Sequence, residues 1–123
     1  LGAPLMHDFC QISLSDLMTD WSLIEKRLEL ASMADFVICI YNPKSKGRPN
    51  HLRRAFEIMK THKPATTPVG IVKNAGRINE EKYIRTLETM DFEVCDMSTM
   101  IIVGNKETYI DGDKIITPRG YGI

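Results

Sequence analysis

The chain has 123 residues, 43% of them hydrophobic, enough for one domain with its own core. Its 16 Lys and Arg balance 16 Asp and Glu. Neutral charge without a long basic stripe argues against a nucleic-acid or membrane-surface partner, and no apolar run approaches the ~20 residues of a membrane span.

Residues 1 to 20 read as a connector. Leu1 to Met6 contain Gly and Pro without a period, and Phe9, Ile12 and Leu14 mark a short extended segment. Ser13 or Ser15 with Asp16 then resembles a helix start. The spacing predicts a helix over about Trp21 to Met33, with Leu23, Ile24, Leu28 and Ala31 as its apolar stripe. Phe36 to Tyr41 is an unbroken apolar run, the pattern of a strand covered on both faces. At Asn42-Pro43 it breaks into the basic loop Lys44-Ser45-Lys46-Gly47-Arg48-Pro49. Pro49 suits the first turn of a second helix, which carries Leu52, Ala55, Phe56 and Met59 and ends by about His62.

Pro68 to Lys73 repeats the design: a short apolar strand that breaks into Asn74-Ala75-Gly76-Arg77. Glu81 to Met90 is ambiguous between strand and helix and is assigned a strand at its start and a helical turn at its end. A third apolar strand follows from Thr99 to about Asn105. Asp111-Gly112 between two β-prone runs predicts a hairpin over Glu107 to Thr117, and Pro118-Arg119-Gly120-Tyr121 ends it. Alternating strands and helices with a terminal hairpin imply an α/β layered domain with a mixed sheet of about five strands.

Most signatures of chemistry are missing. There is no Gly-rich dinucleotide fingerprint and no phosphate loop. His7, His51 and His62 are scattered, and His51 and His62 are assigned to a solvated helix face. His7-Asp8 could be a base and its orienter, but neighbours in a strand point to opposite faces. Cys10, Cys39 and Cys95 are widely spaced in apolar surroundings and read as reduced core thiols of a cytoplasmic protein. The first residues do not read as a signal peptide. The chain opens on Leu1 without an initiator Met and is expected to be a fragment of something longer. What remains is three buried strands, each ending in small or polar residues. Such ends let a flat, nucleotide-like ligand approach the main chain, at the place where open α/β sheets hold ligands.

The phrases LGAPLMHDFCQISLSDLMTDW, FVICIYNPKSKGRP, PVGIVKNAGR, MSTMIIVGN and ITPRGY together resemble the C-terminal part of the precorrin-3B C(17)-methyltransferases. These belong to the tetrapyrrole methylase family of cobalamin biosynthesis. The resemblance covers essentially the whole chain, departing at Asp20, where Pro is expected before Trp21. It implies a two-domain α/β enzyme that binds S-adenosylmethionine between its domains, the N-terminal domain being absent here and residues 21 to 123 forming the C-terminal one. The implied reaction is methylation of (cobalt-)precorrin-3B at ring carbon 17, with ring contraction to precorrin-4. By motif, Tyr41 and Asn42 would lie under the cofactor, Asn74 and Ala75 would meet adenine or ribose, and Thr99, Met100 and Ile101 would supply main-chain contacts. Arg48 and Arg77 would position the carboxylates of the tetrapyrrole substrate, with Lys44 and Lys46 raising local anion concentration. No catalytic residue and no metal site are assigned, and a homodimer is left open. The competing expectation is a folding or dimerisation domain without activity of its own. A related methylase acting on RNA is disfavoured by the charge balance.

Overall fold

The computed structural model describes residues 2–5, 8–43 and 50–118. The expectations for His7, Lys44, Lys46, Arg48, Pro49 and the final Arg119-Gly120-Tyr121 therefore lie outside the described residues. Five strands form the main sheet: β2 (Phe9–Ser13), β3 (Val37–Tyr41), β4 (Pro68–Lys73), β5 (Glu81–Thr86) and β6 (Thr99–Val103), in the order β2-β3-β6-β4-β5. β2 and β3 are parallel, whereas β6 runs antiparallel to both β3 and β4, and β5 antiparallel to β4. The mixed α/β expectation holds.

The connector expectation gives way. The opening residues are more than a connector, because β2 is a full edge strand, paired with β3 in register from Phe9–Val37 to Ser13–Tyr41. Five residues alternating only partly are too short a signal to separate a strand from a linker. β1 (Gly2–Ala3) also pairs, alongside the predicted hairpin of β7 (Tyr109–Asp111) and β8 (Lys114–Ile116), to make a three-stranded sheet β1-β8-β7. At the hairpin turn only Gly112 of the two central residues has positive φ, +62°, which is what a type II′ turn requires.

Helices α1 (Trp21–Met33) and α2 (His51–Lys60) cover one face. Ile24, Leu28 and Ala31 of α1 and Leu52, Ala55, Phe56 and Met59 of α2 pack there on Ile12, Ile38, Ile40, Val69, Ile71, Ile101 and Val103. Each fully buried aliphatic side chain is worth about 1.5–3 kcal/mol. Leu23, assigned to that stripe, is instead 42% exposed, since it sits one position off the buried i, i+4, i+7 set. The alternate strand residues Val37, Cys39 and Ile102 form a second, smaller buried cluster on the opposite face. The hairpin sheet lies across this face: β8 touches β4, and the turn residues Gly112 and Asp113 share a hollow with Lys82 and Ile84 of β5. Residues 87–89 form a turn, and a short 3-10 turn, unforeseen in the sequence, follows at Phe92–Val94. Cys10, Cys39 and Cys95 are free thiols, the last two buried.

Candidate functional site

The topology sends the C-terminal ends of β2, β3 and β4 to one edge of the sheet, and antiparallel β6 begins there. Ser13 pairs with Tyr41, and Lys73 with Thr99. Just beyond, the Asn74 N–H donates to the Ser98 carbonyl at 3.2 Å. The three predicted strand ends, carrying Tyr41-Asn42, Asn74-Ala75 and Thr99-Met100, therefore converge on one side. Tyr41 and Met100 alternate with the buried Ile40 and Ile101, so they share the face opposite the helices, where they remain 39% and 40% exposed.

Both asparagines take the left-handed backbone region, Asn42 at φ +51° and Asn74 at φ +53°. Non-glycine residues visit this region at a cost, Asn more readily than most, and such positions gather where a ligand must be met by a fixed main chain. Here each turns the chain sharply off a strand end. Ala75 and Arg77 follow in a tight exposed turn, closed by the Arg77 N–H donating to the Asn74 carbonyl at 3.0 Å. Asn42 is fixed differently: its Nδ2 donates to Ser13 Oγ at 3.0 Å, across to β2.

The start of β6 is held by a compact polar turn. Asp96 Oδ1 accepts from Ser98 N at 2.8 Å, Ser98 Oγ at 2.6 Å and Thr99 Oγ1 at 3.1 Å. Its other oxygen lies 3.3 Å from Lys73 Nζ. The Ser98 hydroxyl above all, with help from the Ser98 amide, Thr99 and Lys73, holds the Asp96 carboxyl at a pKa of about 2 against an ordinary 3.8. The Thr99 side chain is thus buried and committed to this turn. Ile101 is wholly buried and paired on both sides, with Ile40 and Ile71. This takes Ile101 out of reach of a surface ligand. The β3 ladder ends at Ile40–Ile101 while the β4 ladder continues to Lys73–Thr99, so Met100 and Thr99 extend past β3's last partner on that strand.

Sequence reasoning missed Ser13, whose partner is distant in sequence, and it misplaced His51. The His51 imidazole stacks on Trp21, ring centroids 3.7 Å apart and planes within 8°. Each residue opens a helix that follows one of two parallel neighbouring strands, so the two helix starts must meet at the same edge. That topological clue was available in the strand order, though not in the residue types. His62 does face solvent, 3.6 Å from Glu29. Among the described residues no group of His, Cys, Asp and Glu is placed to hold a metal ion. Two hollows elsewhere lack this convergence: one of about 310 Å³ at the opposite end of the sheet, and an apolar groove of about 530 Å³ along β2 and α1.

The donor set at the open edge suits an adenosine-like group. It offers two exposed apolar side chains, Tyr41 and Met100, and two left-handed asparagines, the second beside the small, exposed Ala75. Among the described residues it offers no nucleophile and base in contact.

Residues 1–91 match the family described as Tetrapyrrole (Corrin/Porphyrin) Methylases. The chain is 62% identical over 121 residues to a Salmonella typhimurium protein named Probable cobalt-factor III C(17)-methyltransferase, with 98% of this chain and 50% of that one covered. It is 47% identical over 126 residues to the Precorrin-3B C(17)-methyltransferase of a Sinorhizobium species, again covering 98% and 50%. The crystal structure of the methyltransferase CobJ aligns with a TM-score of 0.90 at 35% identity, covering 95% of this chain and 49% of that one. The chain thus spans about half the length of these relatives.

Proposed function

The chain belongs to the tetrapyrrole methylases, and from that membership we propose that it is one half of an S-adenosylmethionine-dependent enzyme. This enzyme methylates cobalt-factor III or precorrin-3B at ring carbon 17 and contracts the ring on the route to cobalamin. The observation that carries this reading is 62% identity across 98% of the chain to a relative of that name. A cytoplasmic setting agrees with three free thiols and with the absence, among the described residues, of a helix long and apolar enough to cross a membrane.

When bound, S-adenosylmethionine supplies an electrophilic methyl group. This chain's own part is to bind and orient. Tyr41 and Met100 offer apolar surface to a flat ring, while Asn42 and Ala75 present main chain for hydrogen bonds and Asn74 its side-chain amide; Thr99 contributes through its backbone carbonyl. Such catalysis consists of placing methyl donor and carbon nucleophile in line within a dry cleft, which accounts for a site without a nucleophile–base pair. A second, N-terminal α/β domain closes the cleft, because the edge seen here is open and half of each relative lies beyond this chain.

Arg77, exposed on the turn after β4, holds a substrate carboxylate, with Arg48 in the same role and Lys44 and Lys46 attracting the polyanion. Arg is suited to bidentate carboxylate contacts. The test uses the full-length enzyme with methyl-labelled S-adenosylmethionine and cobalt-factor III or precorrin-3B. One labelled methyl should appear at carbon 17, and Arg77→Ala should weaken substrate binding by about 1–3 kcal/mol with cofactor affinity unchanged. Absence of transfer to either substrate would refute the reaction assignment. Loss of cofactor binding in Arg77→Ala would refute the carboxylate role.

A further inference from the structure

The two left-handed asparagines of the open edge are secured by different means. Among the described residues Asn74 is held chiefly by main chain: its N–H donates to the Ser98 carbonyl at 3.2 Å and its own carbonyl accepts from Arg77 N at 3.0 Å. Its side-chain amide donates to the Asn79 carbonyl at a long 3.5 Å. For Asn42 the hydrogen bond from its side chain to Ser13 is the tether that crosses to a neighbouring strand. Ser13 Oγ also accepts from Ser15 N at 3.2 Å. Both acceptor sites of the hydroxyl are thus occupied. Ser13 is directly opposite Tyr41 in the parallel ladder, which puts its hydroxyl within reach of the residue after Tyr41.

We propose that Ser13 is a positioning residue for the cofactor edge: its hydroxyl clasps the Asn42 amide and holds Asn42 in the left-handed conformation seen at the end of β3. The inference rests on the reading of that edge as the cofactor half-site. Physically, left-handed backbone is costly for a side-chain-bearing residue unless something outside its own dihedrals selects it. Without the clasp Asn42 spends part of its time elsewhere, and apparent affinity falls by the fraction of competent molecules. The fall should be about fivefold, as expected for one net hydrogen bond.

The experiment is a mutant cycle in the full-length enzyme, reading S-adenosylhomocysteine affinity, KM for S-adenosylmethionine, kcat and Tm. Ser13→Ala should raise Kd and KM for the cofactor about fivefold with kcat and Tm nearly unchanged, and Ser13→Thr, which keeps the hydroxyl, should behave as wild type. The decisive arm is Asn42→Gly. Glycine enters the left-handed region freely, so Ser13→Ala should have no further effect in that background. A fivefold loss that persists beside Asn42→Gly would overturn the clasp, as would wild-type cofactor affinity in Ser13→Ala. A drop in Tm and kcat together, without a change in KM, would make Ser13 merely structural and likewise overturn it. Failure of wild-type protein to bind S-adenosylhomocysteine would be a different result, refuting the cofactor reading itself.

Discussion

The two ends of the main sheet solve the same problem in opposite ways. At the end where β3 begins and β6 finishes, several polar groups are buried or half-buried and matched to one another. Lys63, 3% exposed, donates from Nζ to the carbonyls of Phe36 and Gly104, each at 2.9 Å, and lies 3.4 Å from Asp35 Oδ1. Burial pulls the Lys63 ammonium below its ordinary pKa, and Asp35 opposes that. Asp35 is itself left-handed at φ +59°, and its second oxygen accepts from Lys106 N at 3.0 Å. Beside it, the Thr108 and Thr117 hydroxyls lie 2.7 Å apart, and Thr117 donates to the Pro4 carbonyl at 2.6 Å. Gly104 must be glycine here, since a Cβ would come within 2.5 Å of Thr108. At the other end the same backbone device, left-handed asparagines, stands next to Tyr41 and Met100, which are exposed among the described residues. Strain that is locked by buried partners serves the fold. On the proposed reading, strain displayed at an open edge serves a ligand.

The largest effect should come from breaking the closed end. Lys63→Met leaves two buried carbonyls and the Asp35 carboxylate without their partner, and should cost about 3 kcal/mol of stability. Urea unfolding measures this; a loss under ~1 kcal/mol would mean that the buried lysine is no keystone. Next comes the backbone at the open end. Asn42→Ala and Asn74→Ala should each destabilise by about 1 kcal/mol, whereas the glycine variants stay near wild type. Equal stability of alanine and glycine variants would show that the left-handed turns are not enforced. The smallest effect is electrostatic and local. Asp96 should titrate near pH 2 by carboxyl NMR, and Ser98→Ala should move its midpoint up towards 3.8. Because the folded pKa is depressed, its contribution to stability is present above pH ~4 and fades as pH falls through about 2. A midpoint already at the ordinary value in wild type would disprove the polar turn at the start of β6.

Much of this contrast is legible in the residues. The run Val37 to Ile40 has no polar member and is buried on both faces. Pro68–Lys73 and Trp21–Met33 appear where periodicity puts them. The Asp-Gly signal marks a real hairpin. The convergence at the open edge follows once parallel β3 and β4 are seen to flank an antiparallel β6. What periodicity does not carry is long-range pairing. The role of β2 depends on a partner strand 28 residues later, the Ser13–Asn42 bond spans 29 positions, and the Trp21–His51 stack joins two helices whose starts meet only in three dimensions. Lys63, a charged residue beside Pro64 at a helix end, gives no sequence sign of being buried, because its acceptors are main-chain carbonyls of residues 36 and 104.

The central claim is that one end of the sheet is built for the cofactor and the other only for the fold. Backbone amide NMR of the full-length protein, titrated with S-adenosylhomocysteine, tests it most directly. The account predicts shifts at Tyr41, Asn42, Asn74, Ala75 and Met100, with Lys63, Asn105 and Thr108 unmoved. Shifts centred on Lys63, Asn105 and Thr108, or none along the open edge while the ligand binds, would contradict it.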